Sequence, residues 1–199
     1  MYGFQNEDFL KTLNGAVAQI SEINRIADKV SDLGYKNIYL VGTGGTYAII
    51  SPLAYMLKTN STLVWYHEIA AELLAAKPRS LTREFLSLSR PPYQEPPRET
   101  IAAAEYARSM GATVISFVGT GQLLWLAVSD YVVENAACND NLVEELHIQF
   151  FALGARLMLK NGEFPQYERF VETLRKMPEV LLKVREQNDE RSTCFCRKA

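Results

Sequence analysis

Short runs of β-branched and aromatic residues, each closed by a glycine or a polar break and followed by residues at helical spacing, constrain this chain more than any other feature. Asn37 to Val41 (NIYLV) lies between Gly34 and Gly42, too short for a buried helix and apolar enough for a strand covered on both faces. Thr62 to Tyr66 (TLVWY), Glu84 to Leu88 (EFLSL) and Thr113 to Val118 (TVISFV) repeat the type, and Asp130 to Val133 (DYVV) is a weaker fifth. Helical periodicity fills the intervals, roughly Thr46 to Lys58, His67 to Ala76, Arg98 to Met110 and Gln122 to Val128. Strands that alternate with helices require right-handed crossovers, which build a parallel sheet with helices on both faces. The expected fold is α/β: a doubly wound, parallel, five-stranded sheet flanked by helices.

Further helices flank this unit. From Glu7 to Leu33 apolar residues recur at helical spacing, among them Phe9, Leu13, Val17, Ile20, Ile23, Ile26 and Val30, and Gly34 stops the helix. Two longer helices follow the strands, Leu142 to Leu159 and Tyr167 to Arg185, separated by Gly162 and Pro165. The chain has 199 residues, enough for one such domain with helical additions but not for two. The expected organisation is a helix over residues 1–34 packed on a domain over 35–160, a helix over 161–191, and a patternless, disordered tail over 192–199 (STCFCRKA). Ser89 to Arg98 (SRPPYQEPPR) holds four of the eight prolines and reads as a stiff loop at the carboxyl end of the third strand.

Lys and Arg total 21 against 23 Asp and Glu, so no basic excess exists to neutralise a nucleic-acid backbone or an anionic membrane. Small molecules and proteins are the expected partners. No apolar run reaches spanning length, and the first residues lack the basic region and apolar core of a secretion signal, which points to the cytoplasm. Cys138 stands alone, and Cys194 and Cys196 are too close for an unstrained disulfide, so reduced thiols are expected. Nothing resembles a metal-ligand cluster, and no cofactor is expected.

Ligands of open parallel sheets bind outside the carboxyl ends of the strands. After the first strand the chain reads Gly42, Thr43, Gly44, Gly45, Thr46 and then a helix. Glycine lets the backbone approach an anion, the helix start offers unpaired N–H groups, and Thr43 and Thr46 add hydroxyls. A tight strand-to-helix turn also needs glycine for its own sake, so the motif alone leaves both readings open. The spacing of a nucleoside-triphosphate loop is absent. A dinucleotide fingerprint fits poorly, because Tyr47 stands where its third glycine belongs and the second strand closes on Trp65 and Tyr66 rather than on an acid.

The glycine turn LVGTGGT, the apolar helix after it, the segment Ala70, Ala71, Glu72, Leu73, and a strand ending in Ser87, Leu88, Ser89 together resemble the SIS (sugar isomerase) domains of phosphosugar isomerases. The resemblance spans about Tyr35 to Tyr167. It is nearest to the first half of fructosamine 6-phosphate deglycases and to the isomerase part of glucosamine 6-phosphate synthase. It implies a phosphate site that includes Gly44 and Thr46 of the first loop together with Ser87 and Ser89, to which the chemistry of the turn itself adds Thr43 and Gly45. Where the family continues with Gly-x-Thr, this chain has Arg90, Pro91 and Pro92, and proline removes backbone donors. Arg90 offers a guanidinium fork in exchange, and Thr100 is placed to regain the helix-start position.

Aldose–ketose isomerisation needs a base beside the sugar. The glutamate that catalytic lobes carry on the helix after the first strand has no counterpart between Thr46 and Lys58, and Ala75 stands near the position of their histidine. Glu72 and His147 remain as candidates, His147 by analogy with single-domain members that contribute a late-helix histidine across a dimer. Glu68, read one helical turn before Glu72, could pair with it on one face. The resulting expectation is a phosphosugar-binding domain resembling the first, non-catalytic lobe of an isomerase or deglycase. The alternatives are a self-contained enzyme using Glu72 and His147 across a dimer, and a non-catalytic sugar-phosphate sensor. A homodimer is expected because Phe150, Phe151, Leu153, Leu157 and Met158 look surplus to the needs of one sheet.

Overall fold

A computed structural model describes residues 6–81, 98–119, 124–135 and 144–196. Two helices open the fold, α1 (Asn6–Ala18) and α2 (Ile20–Leu33). Next come β1 (Asn37–Gly42), α3 (Gly45–Asn60), β2 (Val64–Ile69), α4 (Ala70–Ala76), α5 (Arg98–Ser109), β3 (Ile115–Gly119), α6 (Leu124–Val128) and β4 (Tyr131–Asn135). Two long helices close it, α7 (Glu144–Lys160) and α8 (Tyr167–Cys196).

β1 pairs with β2 in parallel, from Asn37 opposite Val64 to Gly42 opposite Ile69. β3 pairs in parallel with β4, from Ile115 opposite Tyr131 to Gly119 opposite Asn135. The described residues hold two small parallel sheets of two strands each. The expected strand Glu84 to Leu88 lies outside the described residues.

Alternation along the strands divides the core in two. Ile38 and Leu40 of β1 and Phe117 of β3 join one apolar cluster with α1, α2, α3, α7 and α8. Tyr39, Val41 and Val118 point the other way, into a cluster with α4, α5 and α6. Helices thus cover both faces, as an α/β chain requires. α7 is the centre of the larger layer, and its Phe150, Leu153, Leu157 and Met158 are buried within the single chain. These residues pack against α1, α2, α3 and α8 in the larger cluster, while Phe151 is only partly buried. Arg156 of α7 locks onto Asp28 of α2 with two hydrogen bonds of 2.7 and 2.8 Å, and Lys160 reaches Asp32 at 2.9 Å.

Several boundaries differ from the sequence reading. The first helix is two helices, broken at Gln19, whose side chain donates to the Glu134 carbonyl and accepts from Gln149 Nε2 at 2.7 Å. A polar side chain pinned on two distant partners sets the bend. β2 ends at Ile69, so His67 and Glu68 belong to a strand, not to a helix carrying Glu72. Pairing with β1 right up to Gly42 keeps His67, Glu68 and Ile69 in the strand, and the helix begins only at Ala70. α8 continues past Arg185 to Cys196, which carries helix through most of the stretch read as tail.

One acidic side chain joins two turns on the rim. Glu163 accepts from Ser61 Oγ at 2.6 Å and from the Thr62 N–H at 2.8 Å, and also from the Thr62 hydroxyl. Desolvation alone would raise its pKa, but the bonds from Ser61, Thr62 and Asn161 outweigh it and hold the carboxyl at about 2 against an ordinary 4.5. A depressed folded-state pKa contributes stability that is complete above pH 4.5 and is lost as pH falls towards 2. Urea midpoints measured between pH 6 and pH 2.5 should therefore fall less steeply in Glu163→Gln than in the parent chain. Parallel curves would show that the clasp contributes nothing.

Candidate functional site

The carboxyl ends of β1 and β2 lie side by side, because Gly42 is in register with Ile69. A Cβ on Gly42 would sit 2.6 Å from the Tyr47 nitrogen, so α3 can fold back over the strand end only where residue 42 has no side chain. Gly44 takes φ 55° and ψ −122°, a conformation that suits glycine alone, and it caps α3. The Thr46 N–H closes the turn on the Thr43 carbonyl at 3.1 Å. Gly44 and Gly45 are exposed at the helix start.

A second helix start meets this turn. The Thr43 and Thr100 hydroxyls are 3.1 Å apart, and Thr100, in the first turn of α5, is buried. The start of α3 and the first turn of α5 thus meet through two hydroxyls, and the exposed glycines at the start of α3 offer backbone N–H groups of the kind that suit an anion. Of the residues read from the sequence as phosphate ligands, Thr43, Gly44, Gly45, Thr46 and Thr100 come together here. Ser87, Ser89 and Arg90 lie outside the described residues.

The candidate catalytic residues are placed apart. Glu72 is exposed in the first turn of α4, just beyond the end of β2. His147 is half-buried on α7, in the layer on the other face of the strands, with its ring near Phe151 at 6.3 Å between centroids. Burial pulls its pKa below the usual histidine range, against the opposing effects of Glu144 and a bond to the Ile49 backbone. Glu68 lies opposite Val41 on β2, so it does not share a helix face with Glu72. Among the described residues no group of three His, Cys, Asp or Glu side chains could hold a metal, and no helix is long and apolar enough to cross a membrane.

Sequence reasoning missed one pair beside the turn. His67 lies flat on Tyr47, ring centroids 3.9 Å apart and planes 9° from parallel, with Nε2 3.0 Å from the Tyr47 carbonyl. Burial lowers the pKa of this imidazole and the bond to Tyr47 opposes the shift. The only sequence signal for the pair was a correct strand end, which would have put His67 beside the glycine turn.

No family model matches the sequence, and no curated protein matches it. Solved structures do. A candidate phosphosugar isomerase from Salmonella typhimurium LT2 superposes with a TM-score of 0.78 at 21% identity, over 88% of this chain and 54% of that one. The C-terminal domain of glucosamine-fructose-6-phosphate aminotransferase from Francisella tularensis gives 0.68 at 19% identity, over 79% of this chain and 44% of that one. The sugar isomerase domain of an RpiR transcription factor from Sphaerobacter thermophilus gives 0.57 at 15% identity, over 84% and 95%. The fold is that of sugar isomerase domains, and the chain spans about half the length of the first two structures.

The close approach at Gly42 predicts its own test. Gly42→Ala forces a backbone shift at Tyr47 and should cost about 1 to 3 kcal/mol, as overpacking does. Gly45→Ala, where an added Cβ meets nothing within 4 Å, should stay within about 0.5 kcal/mol of the parent. Equal urea midpoints for the two variants would remove the constraint.

Proposed function

We propose that this chain binds a phosphosugar at the turn Thr43 to Thr46, as the first lobe of a phosphosugar isomerase or deglycase and without turnover of its own. The observation that carries the reading is the contact of Thr43 with Thr100, which brings the glycine turn at the start of α3 together with the first turn of α5. The likeness to sugar isomerase domains supports it. Ser87, Ser89 and Arg90 are proposed to complete the phosphate contacts. Hexose 6-phosphates, amino-sugar 6-phosphates and fructosamine 6-phosphates are the proposed ligand class.

The proposed absence of turnover rests on where the candidate bases stand among the described residues. α3 has no carboxylate, Glu72 is exposed to water, and His147 is in the opposite layer within one chain. The enzymatic alternative requires Glu72 and His147 to meet across two chains. A sensor without catalysis is the second reading, favoured by the match to nearly the whole sugar isomerase domain of the RpiR transcription factor. The chain is proposed to act as a homodimer held by its helices, with the partly buried Phe151 of α7 and the exposed Val180 and Val184 of α8 as apolar contacts.

Titration calorimetry with glucosamine 6-phosphate and fructose 6-phosphate should show binding that unphosphorylated fructose lacks. Thr46→Val removes one hydroxyl bond to a charged group, worth about 1.5 to 3 kcal/mol, so affinity should fall about tenfold or more. An unchanged dissociation constant takes this turn out of the site. Isomerase or deglycase turnover by the isolated chain that is lost in Glu72→Gln would replace the lobe reading with the enzymatic one. A monomer in sedimentation at micromolar concentration would remove the homodimer.

A further inference from the structure

The imidazole of His67 reaches a backbone group that the helix already satisfies. In an α-helix the Tyr47 carbonyl accepts the Ser51 N–H, and the Ser51 hydroxyl lies 3.4 Å from the same oxygen. Nε2 of His67 adds a further donor at 3.0 Å. Since a carbonyl only accepts, Nε2 must carry the hydrogen. This bond is surplus to the backbone's own needs, and what it acts on is the peptide between Tyr47 and Ala48.

That peptide heads a short series of hydrogen bonds. Gly44 caps α3, so the first helical bond runs from the Ala48 N–H to the Gly44 carbonyl. The Gly44 carbonyl shares its peptide group with the Gly45 N–H, one of the unpaired donors of the helix start, and Gly45 is exposed. A donor on one carbonyl strengthens the N–H of the same peptide, so bonds in series polarise one another by about 10 to 30% each. His67 therefore pulls along a line that ends at the exposed Gly45 amide in the glycine turn. The flat stack on Tyr47 fixes the ring in the orientation that the bond requires.

We propose that His67 is a positioning residue for the anion site, which orients and polarises the Gly45 N–H through the Tyr47 and Gly44 carbonyls. The inference rests on the phosphosugar reading and adds a residue that touches no ligand.

Inorganic phosphate and glucosamine 6-phosphate are the probes, each titrated into the full chain. His67→Phe keeps a ring on Tyr47 but has no donor, and it should weaken both ligands about three- to tenfold, the loss expected of one neutral hydrogen bond. His67→Gln carries an amide donor and should return affinity to within about twofold of the parent. The melting temperature reports whether the fold is intact in each. In amide spectra, phosphate should shift the Gly45 resonance of the parent and of His67→Gln, and much less that of His67→Phe. Parent affinity in His67→Phe, or equal weakening in both variants, overturns the positioning role while leaving the phosphosugar reading in place. No binding by the parent chain defeats both. Should His67→Phe fail to fold, the imidazole nitrogen spectrum of the parent decides: hydrogen on Nε2 supports the relay, and hydrogen on Nδ1 alone overturns it.

Discussion

The contact between residue 42 and the backbone of Tyr47 is the constraint on which the rest depends. Only 2.6 Å separates the Tyr47 nitrogen from the place a Cβ would take, so the chain reverses within four residues of the end of β1. That reversal lays α3 along the strand it follows and brings Ile50, Leu53 and Leu57 onto the larger apolar cluster. With α3 in place, α7 has a partner on one side, and α1, α2 and α8 can enclose it. The same reversal leaves the amino end of α3 open at the sheet edge, where the Thr43 hydroxyl meets Thr100. One absent side chain thus serves both packing and site.

Polar groups organise the larger layer as much as apolar ones. Arg156 and Asp28 fix the rotation of α7 against α2 with a two-point contact that a single hydrophobic residue could not specify. Gln19 and Gln149 join the bend between α1 and α2 to the buried face of α7. Proline inside α3 has a further effect: Pro52 has no N–H to give, so the Ala48 carbonyl loses its helical donor. Tyr47 and Ile49, on either side of Ala48, are the residues whose backbones the chain's two histidines engage.

Much of this was legible in the sequence, and the misses share a cause. Asn37 to Val41 was readable as a strand because its apolar run is short and glycine-bounded, and the turn after it because hydroxyls and glycines alternate there. The end of β2 was not, since His67, Glu68 and Ile69 run directly into Ala70, Ala71, Glu72 and Leu73, a good helical sequence. Only register with β1 extends the strand. The bend at Gln19 was hidden because α1 and α2 bury the same face, so the apolar spacing continues unbroken through a residue whose partners lie 115 and 130 positions away. The surplus read on α7 was a count of apolar residues against one sheet, which omitted the helices on its other sides. Within the site, the Thr43 and Thr100 meeting was half visible, as a helix start regained at Thr100. The Tyr47 and His67 stack joins residues 20 apart across a crossover and has no local signature.

The first and last described helices lie against each other: Asn6 Nδ2 donates to Glu186 at 3.3 Å, and the Arg185 guanidinium stands 5.4 Å from the centre of the Phe9 ring. During synthesis, α1 leaves the ribosome long before α7 and α8, the two helices that cover it. Phe9 and Leu13 must wait while about 130 further residues are added before α7, the first of these two partners, even begins. At about 5 to 20 residues per second that interval lasts roughly 7 to 26 seconds, ample for an unpaired amphipathic helix to meet another nascent chain. The enclosure of α7 by α1, α2, α3 and α8 therefore has a kinetic side: the amphipathic face of α1 is covered only once α7 and α8 have been made.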